Sequence, residues 1–204
     1  LGIVWMTNLY NFMDGTDGLA AAQAVTAAGT GGLLLMQHGA LPAGLYSLAI
    51  AAAAAGFLVF NRPPARIFMG DVGSYFLGFT LAVLAVAGER TGQLSLWCSL
   101  TLLAWFLTDA TLTLLMRIAR GDPWHQAHRE HAYQRLVQMG WSHGRLLAAF
   151  LALQLFILIP LALLGSFDPG IALGGFLCAT ALCAILWVTI QNRYQRSIQG
   201  SPQV

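Results

Sequence analysis

Residues 42–60 read PAGLYSLAIAAAAAGFLVF, a stretch without a single charged side chain. A helix needs about 20 such residues to cross the roughly 30 Å hydrocarbon core of a bilayer. The whole chain is similarly apolar, because 57% of its 204 residues are hydrophobic and only 9% are charged. An average soluble domain has roughly 25% charged residues. The composition therefore excludes a soluble enzyme and a disordered chain, and it predicts a multi-span membrane protein.

Seven apolar segments are candidate spans. They are rich in Leu and Ala and do not alternate with polar residues, which predicts helices rather than barrel strands. The expected fold class is an all-α polytopic transmembrane bundle that forms a single domain over residues 1–204. The segments are 1–13, 18–36, 42–60, 73–88, 94–118, 145–165 and 170–191.

The basic residues are distributed unevenly between the two sides of these spans. All ten are arginine, and with seven spans only Arg90 falls on one side while nine fall on the other. Loops on the cytoplasmic side are enriched in basic residues. We therefore expect the 61–72 loop and the 119–144 loop, an amphipathic one, to face the cytoplasm together with residues 8–17. The net charge of +2 is too small to indicate a nucleic-acid partner.

The first polar stretch is NLYNFMDGTDGLA, residues 8–20. Four of its polar side chains are spaced three apart and would form one stripe if the segment were helical. Amides and carboxylates at a membrane boundary are costly unless charge, metal or water pairs with them. They indicate an oxygen-rich site for a hard cation such as Mg²⁺, with helix capping at the interface as the alternative. The four residues are Asn8, Asn11, Asp14 and Asp17.

The second polar stretch, residues 61–74, reads NRPPARIFMGDVGS. Its two prolines fix an extended entry, and Gly70 and Gly73 relax the backbone around one carboxylate, Asp71. Ser74 is expected at a helix start, where free N–H groups favour anions. With two arginines in the same loop, this pattern is typical of a metal–diphosphate site, and a plain loop with an Asp cap is the alternative.

The third polar stretch, residues 124–135, reads WHQAHREHAYQR. His128 and His131 are three apart and would share one helical face. The pair suggests zinc, but the stretch contains no thiolate, and a solvated interfacial helix is a further alternative. Anion binding by imidazole and guanidinium groups is the interpretation we prefer. One more carboxylate, Asp109, lies inside the 94–118 segment, where it is either functional or buried against a polar partner.

Together these stretches resemble the polyprenyl-phosphate N-acetylhexosamine-1-phosphate transferases, or glycosyl transferase family 4. This family includes the enzymes that start O-antigen, enterobacterial common antigen and teichoic acid synthesis, and the phospho-MurNAc-pentapeptide translocase. The matching residues are NLYNFMDGTDGLA (8–20), PPARIFMGDVGSYFLGF (63–79), DATLTLLMR (109–117) and HREHAYQRL (128–136).

The resemblance implies transfer of a sugar 1-phosphate from a UDP-N-acetyl sugar to undecaprenyl phosphate at the bacterial inner membrane. UMP is released, and Mg²⁺ or Mn²⁺ is the expected cofactor. By the same resemblance Asp14 and Asp71 bind the metal, and Asp17 joins them as a catalytic residue. The residues expected to contact the substrates are Asn8, Asn11, Asn61, Arg66, His128, Arg129 and His131.

Two departures from the family pattern bear on which substrate is used and on whether the chain is a whole transferase. The translocase branch has three adjacent histidines, whereas this chain reads His-Arg-Glu-His at 128–131, which is closer to the branch that starts surface polysaccharides. The family also carries two adjacent aspartates on an earlier loop and has more spans than seven, and no Asp-Asp occurs here. We therefore expect the C-terminal part of a larger transferase, inactive by itself.

Other protein classes are weaker alternatives. A CDP-alcohol phosphotransferase needs an arginine shortly after the first Asp-Gly, where residues 20–22 are all alanine. A transporter would line a path through the membrane with charged residues, but only Asp109 lies at depth. A structural scaffold would leave the acidic motifs without a purpose.

Overall fold

Every regular element in the described part of the chain is a helix, which confirms the expected all-α class. The computed structural model describes residues 1–123, 126 and 128–199. A π-helical turn, Gln154–Leu158, joins the helices His143–Leu153 and Ile159–Gly165 into one continuous segment. The helices are α1 (Gly2–Phe12), α2 (Leu19–Gln37), α3 (Leu41–Asn61), α4 (Gly70–Arg90), α5 (Leu96–Leu102), α6 (Ala104–Arg120), α7 (Ala132–Gln138), α8 (His143–Leu153), α9 (Ile159–Gly165) and α10 (Pro169–Gln199).

Among the described residues, five helical segments are long and apolar enough to cross a membrane. They are α2, α3, α4, the continuous α8–α9 segment and α10, and the bent pair α5–α6 makes a sixth when counted as one span. The sequence predicted seven, of which the short segment 1–13 is the additional one. Its helix, α1, has 11 residues within this chain, against roughly 20 for a full crossing.

The predicted span 94–118 is not one straight helix. α5 and α6 meet at Leu103 with a bend of 76°. At this bend the Leu102 carbonyl accepts hydrogen bonds from the buried amides of Gln23 (3.0 Å) and Gln154 (3.1 Å). Because an unsatisfied carbonyl is costly in a hydrocarbon environment, these two glutamines stabilise the bend.

Glycines allow neighbouring helices to approach closely, as is usual for helix contacts in lipid. α1 packs against α4, where a Cβ at Gly78 would lie 2.7 Å from the Tyr10 Cβ. This contact fixes the C-terminal end of α1 beside the N-terminal end of α4. Both ends carry polar motifs.

The three polar stretches meet at one end of the bundle. The Tyr133 hydroxyl in α7 donates to the carbonyl of Phe12 at the end of α1, over 2.9 Å. The carboxylate of Asp17, after α1, accepts from the backbone N–H of Ala65, after α3, over 3.1 Å. Residues far apart in the sequence thus form one candidate site.

Candidate functional site

Asn11 links the first polar stretch to the second. Its amide donates to the Asp71 Oδ1 (3.0 Å) and to the Ser74 hydroxyl (2.9 Å). Asp71 lies exposed in the first turn of α4, where the helix dipole favours a negative charge. Helix α4 begins at Gly70, whose φ of 67° suits glycine, so Ser74 lies one turn inside the helix and not at its start. The other oxygen of this exposed residue, Oδ2, accepts no hydrogen bond among the described residues.

Asp14 lies in the turn between α1 and α2 and faces the same space as Asp71. Because α1 ends at Phe12, the stripe considered from the sequence does not continue to Asp14 as a helix. Burial, reinforced by the negative charge of Asp71, raises the pKa of the Asp14 carboxyl from 3.8 to about 7. Such a pair of carboxylates is a donor set that a hard cation can neutralise.

Asp17 differs from these two aspartates because both of its oxygens contact other parts of the protein. Oδ2 accepts the Ala65 N–H, and Oδ1 lies 3.2 Å from Nδ1 of His143, the first residue of α8. These contacts join the turn 13–18 to the loop after α3 and to α8. The structure thus gives Asp17 a positioning role, and its catalytic role stays a prediction.

His143 is a site residue that the sequence analysis did not identify. It directly follows Ser142, the N-cap of α8. That place in the sequence indicates a helix start but does not reveal a contact with Asp17, which is 126 residues away.

Asn61, at the end of α3, is buried and uses both ends of its amide within the protein. Its Oδ1 accepts the Gly18 N–H (3.0 Å), and its Nδ2 donates to the Ile67 carbonyl (2.8 Å). The structure therefore shows Asn61 holding two loops together. Its expected contact with a nucleotide stays a prediction.

Two cavities open beside these residues and share one side chain. The first, here called the polar cavity, measures about 320 Å³. The second, the apolar cavity, measures about 990 Å³ and runs along α1 and α6 to His128 and His131. Asn11 lines both. Polar residues that line the first are Asn11, Asp14, Thr16, Asp17, Asn61 and Asp71.

Two of the predicted substrate contacts lie apart from the aspartates. Asn8 lines the apolar cavity, and its amide donates to the Val4 carbonyl within α1 (2.8 Å). The Arg66 side chain is exposed and forms no ion pair within the described ranges of the chain. Neither side chain contacts a carboxylate of the polar cavity.

His128 and His131 lie side by side at the end of the apolar cavity. Both precede α7, so they do not share a helical face, yet their ring centroids are 4.9 Å apart. His131 is buried and stacks against Phe12 and Tyr133. Burial, together with the positive charge of its neighbours, lowers the pKa of His128 from 6.5 to about 4. With this pKa, His128 is a neutral imidazole at pH 7 rather than a cation.

The zinc interpretation finds no third ligand beside these histidines. Among the residues that the structure describes, no group of three His, Cys, Asp or Glu side chains could hold a metal ion. Trp124 and His125, which begin the third polar stretch, lie outside the described residues.

Most arginines around the third stretch are engaged by one carboxylate, Glu130. It forms ion pairs with Arg117, Arg120 (3.0 Å) and Arg135 (3.2 Å). Burial acts to raise the pKa of Glu130, but the Arg117 hydrogen bond and the three positive charges outweigh it, so the pKa is lowered. Arg129 is exposed, and its side chain has no ion pair in the described part of this loop.

Asp109 is buried in α6 and accepts several hydrogen bonds. Its Oδ1 accepts the Ala132 N–H (2.8 Å) and the Thr113 hydroxyl (3.1 Å), and its Oδ2 accepts the Tyr133 N–H (3.3 Å). His131 Nδ1 lies 3.6 Å from Oδ1. These contacts tie α6 to the start of α7, and they account for a carboxylate at depth without a transport path.

Comparison with known proteins gives consistent matches. Residues 1–89 match the model of glycosyl transferase family 4. The probable undecaprenyl-phosphate N-acetylglucosaminyl 1-phosphate transferase of Bacillus subtilis (strain 168) is 34% identical over 145 residues, which are 70% of this chain and 40% of that protein.

Two phospho-N-acetylmuramoyl-pentapeptide-transferases are similar at a comparable level. That of Latilactobacillus sakei is 30% identical over 153 residues, covering 72% of this chain and 46% of the relative. That of Anoxybacillus flavithermus is 31% identical over 167 residues, covering 77% of this chain and 47% of the relative. The chain thus spans about half the length of the curated relatives it matches. These matches confirm the resemblance drawn from the motifs and identify the chain as a relative of glycosyl transferase family 4.

Proposed function

We propose that the protein containing this chain transfers an N-acetylhexosamine 1-phosphate from a UDP-sugar to undecaprenyl phosphate. An oxygen of the lipid phosphate attacks the β-phosphorus of the UDP-sugar. The bond between that phosphorus and the bridging oxygen breaks, and UMP leaves with the bonding electrons. Because both reactants carry negative phosphates, positioning and charge neutralisation are the main catalytic tasks.

The observation that carries this proposal is the polar cavity beside the apolar cavity, with Asn11 in the wall of both. A soluble nucleotide sugar suits a cavity lined by Asp14 and Asp71. A long polyprenyl chain suits a larger apolar cavity along α1 and α6. Their phosphates would then meet near Asn11.

Asp14 and Asp71 are the residues that would hold Mg²⁺ or Mn²⁺. Their donor set fits, because Mg²⁺ commonly takes one or two carboxylates and completes its shell with water and substrate phosphate oxygens. When bound, the ion would neutralise phosphate charge. The protein's own contribution is orientation: Asn11 holds Asp71 at 3.0 Å, and Asp17 anchors the turn that carries Asp14.

The opposite wall would supply hydrogen-bond donors and positive charge. His128 and His131 line the end of the apolar cavity, where a neutral imidazole donates one hydrogen bond. Arg129 and Arg66 are exposed guanidinium groups without an ion pair inside the described ranges. We expect His128, Arg129 and His131 to contact the diphosphate, with Arg66 at the entrance.

The cellular role we propose is the first membrane step of O-antigen or other cell-envelope polysaccharide synthesis, on the cytoplasmic face of a bacterial inner membrane. The His-Arg-Glu-His sequence favours this role, and the arginine bias favours this orientation. The alternative is the pentapeptide translocase reaction, because relatives carry names of both kinds.

The test is UMP release by the full-length protein in nanodiscs. UDP-GlcNAc and UDP-MurNAc-pentapeptide are offered separately with undecaprenyl phosphate, with Mg²⁺, with Mn²⁺ and with chelator. We expect metal-dependent UMP release with a UDP-N-acetyl sugar and none without the lipid phosphate. Release with the pentapeptide substrate alone would favour the translocase reaction. No metal-dependent release with any UDP-N-acetyl sugar would contradict the proposal.

A further inference from the structure

We propose that Asp109 is a positioning residue that fixes the ring of His131 so that its Nε2 is presented to a substrate phosphate in the apolar cavity. The assignment of the phosphate rests on the proposed function. The positioning itself rests on the contacts of the two side chains.

The Asp109 carboxylate is fully buried, and its contacts converge on the segment that carries His131. Two backbone N–H groups directly after His131, those of Ala132 and Tyr133, donate to it. The Thr113 hydroxyl donates to the same carboxylate and accepts the indole N–H of Trp187 in α10 (3.1 Å). Asp109 is therefore held from its own helix while it holds the backbone beside His131.

The ring of His131 is confined by its neighbours. Phe12 and Tyr133 stack against it with centroids at 6.3 and 5.8 Å, and His128 lies 4.9 Å away. Its Nδ1 is buried without a hydrogen-bond partner among the described residues and lies 3.6 Å from Asp109 Oδ1. A small shift would make this contact a hydrogen bond, and active-site hydrogen bonds commonly tighten when substrate binds.

The chemistry of a carboxylate decides which ring nitrogen carries the proton. Both Asp109 oxygens accept hydrogen bonds from the protein, and an accepting oxygen beside a ring nitrogen favours a proton on that nitrogen, here Nδ1 of His131. The partner of one ring nitrogen sets the state of the other, which leaves Nε2 for the cavity that His131 lines. Nε2 is then the ring nitrogen that can contact a phosphate oxygen.

His128 lacks such a partner. Its Nδ1 is also buried and unpaired in the described part of the chain, and no carboxylate lies within ion-pair distance of it there. The two adjacent histidines are thus not equivalent, and His131 is the one whose orientation the protein fixes.

A double-mutant cycle tests whether Asp109 acts through His131. We expect Asp109→Asn to lower kcat/KM at least about tenfold in the full-length protein, as loss of a residue that orients a histidine usually does. In a His131→Gln background the same change should add less than about twofold. Equal losses in both backgrounds would overturn the proposal, because they would mean that Asp109 only supports the fold. Asp122→Asn is the matched control: this carboxylate lies in the loop after α6, has no side-chain partner among the described residues, and should leave activity unchanged.

A spectroscopic test does not depend on activity and so separates this proposal from the proposed function. In protein labelled with ¹⁵N-histidine, at a pH where the rings are neutral, the His131 signal is assigned from its loss in His131→Gln. We expect Nδ1–H in the wild type. Asp109→Asn can turn its amide NH₂ toward Nδ1, so the proton should move to Nε2, while Asp109→Glu should keep it on Nδ1. An unchanged His131 signal in folded Asp109→Asn would overturn the proposal, and unfolding of both variants would show that Asp109 serves the fold.

Discussion

In the polar cavity, Asp14 and Asp71 face open space, while His143 supports a third carboxylate, Asp17, from outside the motif. Around α7 the arrangement is reversed, because the histidines line a cavity and a carboxylate, Asp109, supports one of them. Both regions therefore contain an aspartate–histidine pair, but the supporting member is of opposite type. Residue type alone does not indicate which partner faces a cavity and which one supports it, whereas the neighbouring contacts do.

The largest effect should come from a carboxylate that faces the polar cavity. We expect Asp71→Asn to lower turnover at least about 10³-fold, the scale on which loss of one charge-stabilising group reduces a rate. Membrane insertion should persist, because Asp71 is exposed. UMP release is measured together with the elution volume in detergent. Unchanged turnover would remove Asp71 from the site.

A smaller effect is expected from the supporting histidine of the same cavity. His143→Gln should lower kcat/KM about tenfold, because Asp17 would lose one of the two groups that hold it. His38→Ala provides a control, since that histidine is exposed and makes no side-chain contact among the described residues. If His143→Gln were as active as His38→Ala, His143 would not support Asp17. The two regions would then not both contain a functional aspartate–histidine pair.

A still smaller effect is expected at the unsupported histidine. His128→Ala should raise the KM for the UDP-sugar by about tenfold or less, the range of one neutral hydrogen bond. Steady-state kinetics on both substrates checks this. Bound zinc that is lost in the same variant, measured by elemental analysis, would favour a metal site there instead.

The smallest effect is on stability and concerns Asp14. A carboxyl whose pKa is higher in the folded than in the unfolded protein stabilises the fold when protonated. That contribution is complete below the ordinary pKa of 3.8 and is lost as the pH rises to about 7. In chelator, the melting temperature should therefore fall across this interval more steeply for the wild type than for Asp14→Asn. Equal pH profiles for the two proteins would mean that Asp14 is not buried beside Asp71.

The helical fold could be predicted because it depends on local properties of the sequence. An apolar run such as 42–60 needs only length and composition to become a span, and α3 (Leu41–Asn61) has nearly those bounds. The bend at Leu103 could not be predicted in this way. It depends on Gln23 and Gln154, which come from two other helices.

The residues of the candidate site also differ in how far the sequence alone could predict them. The sequence singled out Asp14 because carboxylates at a membrane boundary are costly unless paired, and Asp71 because it is a lone carboxylate between two glycines. The structure brings both to one cavity. The sequence did not reveal that the oxygens of Asp17 and the amide of Asn61 are used within the protein, because those partners are distant in sequence. Their roles in binding and catalysis stay predictions until kinetics tests them.

The ion pairs of Glu130 give a structural reason for arginine as the basic residue in this chain, which contains ten arginines and no lysine. One carboxylate that binds Arg117, Arg120 and Arg135 together relies on planar, forked donors, which an ammonium group does not offer. A homologue with lysine at these positions would retain the positive charge of this loop. It would lose the geometry in which Glu130 joins α6 to α7, so loop charge and loop architecture come from the same three side chains.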